Sequence, residues 1–255
     1  MESLRLVSPN AYLRYLDFPG DKTPIVFIHG MGCASTIDYA RVIANPALAG
    51  HRFLLPDMLG HGYSDAPQDF SYAIDAHART IATLLDQLSI KGAVVFGHSA
   101  GGSVAIALAS QRRDLVGRLI CSESNLNPGG GTVSKAVAAQ TEEEFTAAGH
   151  RAVVQQVIAT GWTSRAATFR TTNPIAFHRT ARSLVEGSSP TWMELLVRLK
   201  IPRAWIVGEK DAPDDDKELF APHGIPVFVV PGGDHDMAFG NPDGVAETIA
   251  GALRA

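Results

Sequence analysis

The chain is poor in cysteine: only Cys33 and Cys121 occur among 255 residues, far apart and at no metal-ligand spacing. It therefore offers no disulfide framework and suits a reducing compartment. Charge of one sign is also scarce. The formal net charge is −4, and without a basic stripe there is no electrostatic ground for a nucleic-acid or anionic-membrane partner. No apolar run is long enough to cross a bilayer, and the N-terminal stretch has neither a basic start nor a continuous apolar segment, so neither a membrane span nor a signal peptide is expected. There is no H-E-x-x-H, no P-loop and no G-x-G-x-x-G after a strand, so no metal and no nucleotide cofactor is expected. Internal repeats and low-complexity tracts are absent. These absences lead to the expectation of a soluble, cytoplasmic protein that acts on a small molecule; its oligomeric state is not readable.

What is there is a turn-rich globular composition, 45% hydrophobic with 24 glycines and 15 prolines, long enough for one core carrying one insertion. Six short apolar runs rich in β-branched residues end in Gly, Pro, Asp, His or Cys: Ile25 to His29, Phe53 to Pro56, Ala93 to Gly97, Leu119 to Cys121, Ala204 to Gly208 and Val227 to Pro231. Short runs without polar alternation predict strands buried on both faces of a parallel sheet. Helical spacing lies between them, at Ala76 to Leu88, Ser103 to Ser110 and Asp243 to Leu253. The expected fold class is α/β, a mostly parallel sheet flanked by helices.

The rhythm breaks from about Asn125 to Pro190. There NPGGG is followed by helical material and by polar turns such as TSRAAT and EGSSP, with no strand of the buried type. This predicts a core at 1–124 and 191–255, with a mainly helical cap insertion at 125–190. Phe145, Trp162, Phe169, Phe177 and, just beyond, Trp192 are candidates either to cover a site or simply to pack the insertion onto the sheet.

Residues Gly97-His98-Ser99-Ala100-Gly101 fit G-x-S-x-G directly after a predicted strand and before a predicted helix. A sharp strand-to-helix turn exposes a nucleophilic Ser, with small residues two positions away relieving the crowding. The helix N-terminus supplies free N–H groups for a developing oxyanion, the Ala100 amide first among them. His98 is expected to point away from Ser99, as a structural or pocket-wall residue.

At this point the chain resembles the α/β-hydrolase family over nearly its whole length outside the insertion. Residues Ile28-His29-Gly30-Met31-Gly32 match its strand followed by His-Gly-x-Gly, which implies Met31 as the second oxyanion donor opposite Ala100. His29, Gly30, Gly32, His98 and, from the insertion, Trp162 are the expected substrate-binding residues. Cys33, which follows, reads as a small buried filler. Pro56 to Asp65 is similar to the family's D-x-x-G-x-G-x-S loop, whose Asp and Gly residues suit a tight turn.

The family order places an acid and then a His after Ser99. His235, after the last predicted strand, is the expected general base. Asp211, in Gly208-Glu209-Lys210-Asp211 after a buried strand, is the favoured acid. Glu123, just past the strand ending at Cys121, is the alternative, since some members carry the acid there. The resemblance implies hydrolysis of a small to medium carboxylic ester, lactone or thioester through an acyl-enzyme. Ser in place of Asp at position 99 argues against dehalogenase and epoxide hydrolase chemistry. Cofactor-free C–C hydrolysis, perhydrolysis and hydroxynitrile cleavage fit the same residues, as does a slow-turnover small-molecule receptor.

Overall fold

The computed structural model describes residues 1–255. Eight strands form one sheet: β1 (Glu2–Leu6), β2 (Ala11–Phe18), β3 (Lys22–Ile28), β4 (His51–Pro56), β5 (Ala93–His98), β6 (Val116–Ser122), β7 (Arg203–Gly208) and β8 (Val227–Val230). Their spatial order is β1-β2-β4-β3-β5-β6-β7-β8. From β4 through β8 every neighbouring pair is parallel, whereas β1 and β2 add an antiparallel edge. All six strands expected from apolar runs are present. β1 and β2 carry no such apolar run. In β2, buried Leu13 and Tyr15 alternate with less buried neighbours, as suits an antiparallel strand with one face towards water.

The buried strands lack polar alternation because each face has its own core. Val26 and Ile28 of β3, Val95 of β5 and Trp205 and Val207 of β7 pack with the helices Ile74–Gln87 and Ala100–Gln111. Ile25, Phe27, Val94, Phe96, Ile120 and Ile206 point the other way, towards Val245 and Ile249 of the helix Pro242–Arg254. The period-two side-chain alternation thus sends neighbouring residues into opposite apolar layers.

Between β6 and β7 lie only helices, including Thr132–Ala138, His150–Ala159, Thr163–Thr171, Pro174–Glu186 and Trp192–Arg198. Asn173 caps the fourth of these with its side chain, accepting from the amides of Ile175 and Ala176, and Pro174 takes the first helical position, where its missing N–H costs nothing. TSRAAT, expected as polar turns, instead begins the helix Thr163–Thr171; its apolar face, Ala166 and Phe169, is buried. Phe145, Phe169 and Phe177 join Val137, Val154, Ala181 and Cys33 in a small separate core. Trp192 belongs to the main core, and Trp162 is 43% exposed. No helix is long and apolar enough to cross a membrane.

Candidate active site

Ser99 sits between β5 and the helix Ala100–Gln111 with φ 53° and ψ −123°, a left-handed strain that a non-glycine residue rarely adopts. The turn is possible because the residues on both sides of it carry no Cβ in a place too crowded to hold one. A Cβ on Gly97 would fall on the Gly101 carbonyl oxygen, and one on Gly101 would fall on the carbonyls of Ile28 and His29. Both outer positions of G-x-S-x-G must therefore be Gly here. The Ser99 amide donates to the Ser122 carbonyl at 2.8 Å, tying the turn to the end of β6.

His235 follows β8 and brings Nε2 to 3.3 Å from Ser99 Oγ, within the looser range that active sites tolerate. Its Nδ1 lies 2.6 Å from Glu123 Oε2. The other Glu123 oxygen accepts the Gly208 amide at 2.7 Å. The carboxylate is thus fixed on both sides, with its side chain 8% exposed. Glu123 has φ 44°, and its amide donates to the Ile206 carbonyl at 3.2 Å.

The favoured pairing of His235 with Asp211 is corrected by this geometry: Glu123 meets the imidazole. Asp211 lies exposed at the rim of the same cavity. Desolvation first, and the neighbouring Glu123 carboxylate second, push its pKa up. Glu123 and Asp211 follow adjacent strands, β6 and β7, so both reach the same corner of the sheet.

The Met31 amide, in the turn after β3, finds no protein acceptor. The Ala100 amide, first in its helix, has no intrahelical acceptor. A Cβ on Gly30 would lie 3.4 Å from Ser99 Cβ, so this loop flanks the Ser. His29, expected at the substrate, is a second correction. It is fully buried, its Nε2 accepts the Met58 amide at 3.0 Å and its Nδ1 meets the Gly30 carbonyl at 2.7 Å. Both nitrogens hold the loop, and burial pushes the His29 pKa down to about 4. Asp57 in the neighbouring loop is likewise structural, accepting from the Thr36 amide and hydroxyl and from the Tyr63 amide.

Ser99, Glu123 and His235 open into a cavity of about 380 Å³ lined also by Met31, Asn125, Arg165 and Phe169. Gly30, Gly32 and His98 do not line it. His98 instead packs its ring 4.7 Å from that of His235. Trp162 stands at two neighbouring cavities. His98, Glu123 and His235 present ligand atoms within 4.8 Å of one another. Both Glu123 oxygens are already engaged, so a cation there would have to break the hydrogen-bonded chain.

Sequence reasoning missed Arg165. It projects from the insertion helix and pairs with Asp236, next to His235, at 2.6 Å. Its guanidinium also lies 5.4 Å from the Trp162 ring centre and 5.6 Å from that of Phe169. Neither partner carries a local motif; only the fold brings them together.

The chain matches the model of the alpha/beta hydrolase fold over residues 23–191, and it belongs to that family. A 2-hydroxymuconate semialdehyde hydrolase of Pseudomonas sp. (strain CF600) is 39% identical over 98 residues, covering 38% of this chain and 35% of that protein. The match spans about a third of the length of such curated relatives. Among solved structures, a thermophilic esterase from Thermogutta terrifontis superposes with a TM-score of 0.80 at 21% identity, covering 100% of this chain and 98% of that one. The enol-lactonase of Burkholderia xenovorans LB400 does so at 0.80 and 20% identity, covering 100% of both. These likenesses speak for the fold.

Proposed function

We propose that the chain is a serine hydrolase that cleaves a small to medium carboxylic ester, lactone or thioester through an acyl-enzyme on Ser99. The observation that carries this reading is the chain of contacts Ser99 Oγ, His235 Nε2, His235 Nδ1, Glu123 Oε2. His235 takes the Ser99 proton as Oγ attacks the carbonyl carbon, then hands it to the leaving alcohol, or thiol for a thioester, as the tetrahedral intermediate collapses. Water repeats the sequence on the acyl-enzyme, releasing the acid and restoring Ser99. Glu123 holds the tautomer that leaves Nε2 free and stabilises the imidazolium. The amides of Met31 and Ala100, which have no backbone acceptor, would receive the oxyanion.

A second reading, C–C bond hydrolysis, is favoured by the likeness to the Pseudomonas hydrolase. Two assays separate them: release of p-nitrophenol from esters of graded acyl length, and loss of absorbance of 2-hydroxymuconate semialdehyde, each with wild type and Ser99→Ala. Multiple turnovers on esters that vanish in Ser99→Ala support the esterase reading. Turnover of the semialdehyde with no ester hydrolysis moves the C–C reading ahead. A single burst, or no reaction with either substrate, overturns both and leaves a receptor on the same fold.

A further inference from the structure

The cavity that holds Ser99 has a mixed lining, in which four of 13 residues are hydrophobic, and it is the more polar of two adjoining spaces. Behind it, among the helices Thr132–Ala138, His150–Ala159 and Thr163–Thr171, lies a second compartment of about 220 Å³ in which six of ten lining residues are hydrophobic. Those six are Val133, Ala136, Val153, Val157, Trp162 and Phe169. The two spaces share Thr132, Val133, Arg165 and Phe169 as walls, so they adjoin. Val133 and Trp162 remain 36% and 43% exposed, apolar surface that nothing within the chain covers. Arg165, anchored by Asp236, stands where the more polar chamber meets the apolar one.

We infer that this compartment binds the alkyl tail of an amphiphilic ester whose carbonyl lies at Ser99. The inference rests on the serine hydrolase reading and adds a substrate class to it. The volume of about 220 Å³ suits a medium-length alkyl tail rather than a bulky ring system. An alkyl chain fits because the six side chains offer it contact without a hydrogen-bonding demand, while the more polar chamber keeps the ester group among polar partners.

The test compares acetyl with octanoyl p-nitrophenyl esters, and ethyl acetate with octyl acetate, so that a tail on the acyl side is told from one on the alcohol side. The variants are Ala136→Phe and Val157→Phe, each of which fills the compartment; Ala136 is exposed on its helix, so the larger side chain does not overpack a core. In at least one series the longer chain is expected to have the higher kcat/KM by tenfold or more, with that preference falling at least fivefold in both variants. Flat chain-length profiles in both series, or a preference indifferent to both substitutions, overturns the inference while leaving the hydrolase reading intact. If no ester is turned over, binding decides: Ser99→Ala is titrated with 1-octanol while following tryptophan fluorescence. Trp162 is the exposed reporter, since Trp192 and Trp205 are buried. A saturable change that Ala136→Phe abolishes supports the compartment, and no change overturns it.

Discussion

Glu123 holds His235 from one side and the Gly208 amide from the other, at 2.6 and 2.7 Å, so the carboxylate beside the imidazole comes from the end of β6 and is clamped by β7. Glu123→Gln is expected to lower kcat on the best ester by about 10³ to 10⁴-fold, as loss of the orienting carboxylate does elsewhere. Asp211→Asn is expected to cost less than about tenfold, because the structure gives it no bond to the imidazole. The opposite ranking in steady-state kinetics would return the acid role to Asp211.

Arg165 and Asp236 have side chains only 12% and 14% exposed. Removing one partner of such a pair strands a buried charge. Arg165→Gln is expected to destabilise the fold by about 3–5 kcal/mol, read as a lower midpoint in urea. The double replacement Arg165→Met with Asp236→Leu should recover much of that loss. A single variant as stable as wild type would show that the pair contributes nothing.

Stability should peak near pH 6.5. Burial lowers His29 to about 4 and His61 to about 3 from 6.5, and raises Asp38 to about 8 from 3.8. Below pH 6.5 the unfolded chain takes up protons that the buried histidines refuse, so each costs about 1.4 kcal/mol per pH unit until its folded pKa is reached. Asp38 acts in the opposite sense. Its folded form keeps a proton up to about pH 8, so its contribution is lost as pH rises from 3.8 towards that value. Denaturant midpoints measured from pH 4 to 8.5 should show both arms, and Asp38→Asn should flatten the alkaline one. An unchanged alkaline arm in that variant would remove Asp38 as its cause.

Gly101→Ala should be damaging out of proportion to one methyl group. Its Cβ would land on the backbone carbonyls of Ile28 and His29, which cannot rotate away as a side chain can. A loss of at least about 1–3 kcal/mol, together with loss of ester turnover as the Ser99 turn shifts, is expected from melting and kinetics run on one preparation. Wild-type values for both would mean that the turn has slack the close approach does not suggest.

The buried strands were legible because each is a short β-branched run between turn residues, and the Ser99 turn because G-x-S-x-G sits between such a run and a helix. The antiparallel strands β1 and β2 were not. Their weaker alternation, as in AYLRYLDF, becomes readable only once the rest of the sheet offers them a partner. His29 misled because it belongs to a recognisable motif; only its burial reveals that both nitrogens serve the loop.

Sequence by itself determined the six parallel strands, the crowded turn that exposes Ser99 and the position of His235 after the last strand, because these depend on local patterns of apolar and small residues. The tertiary structure decided which carboxylate meets the imidazole. Glu123 and Asp211 follow neighbouring strands, and the choice turns on the backbone of Glu123, at φ 44°, and on the free Gly208 amide that fixes its second oxygen. It likewise decided the pairing of Arg165 with Asp236 and the apolar compartment beside it. Contacts between residues so far apart in the chain are set by how helices pack, which no local pattern encodes.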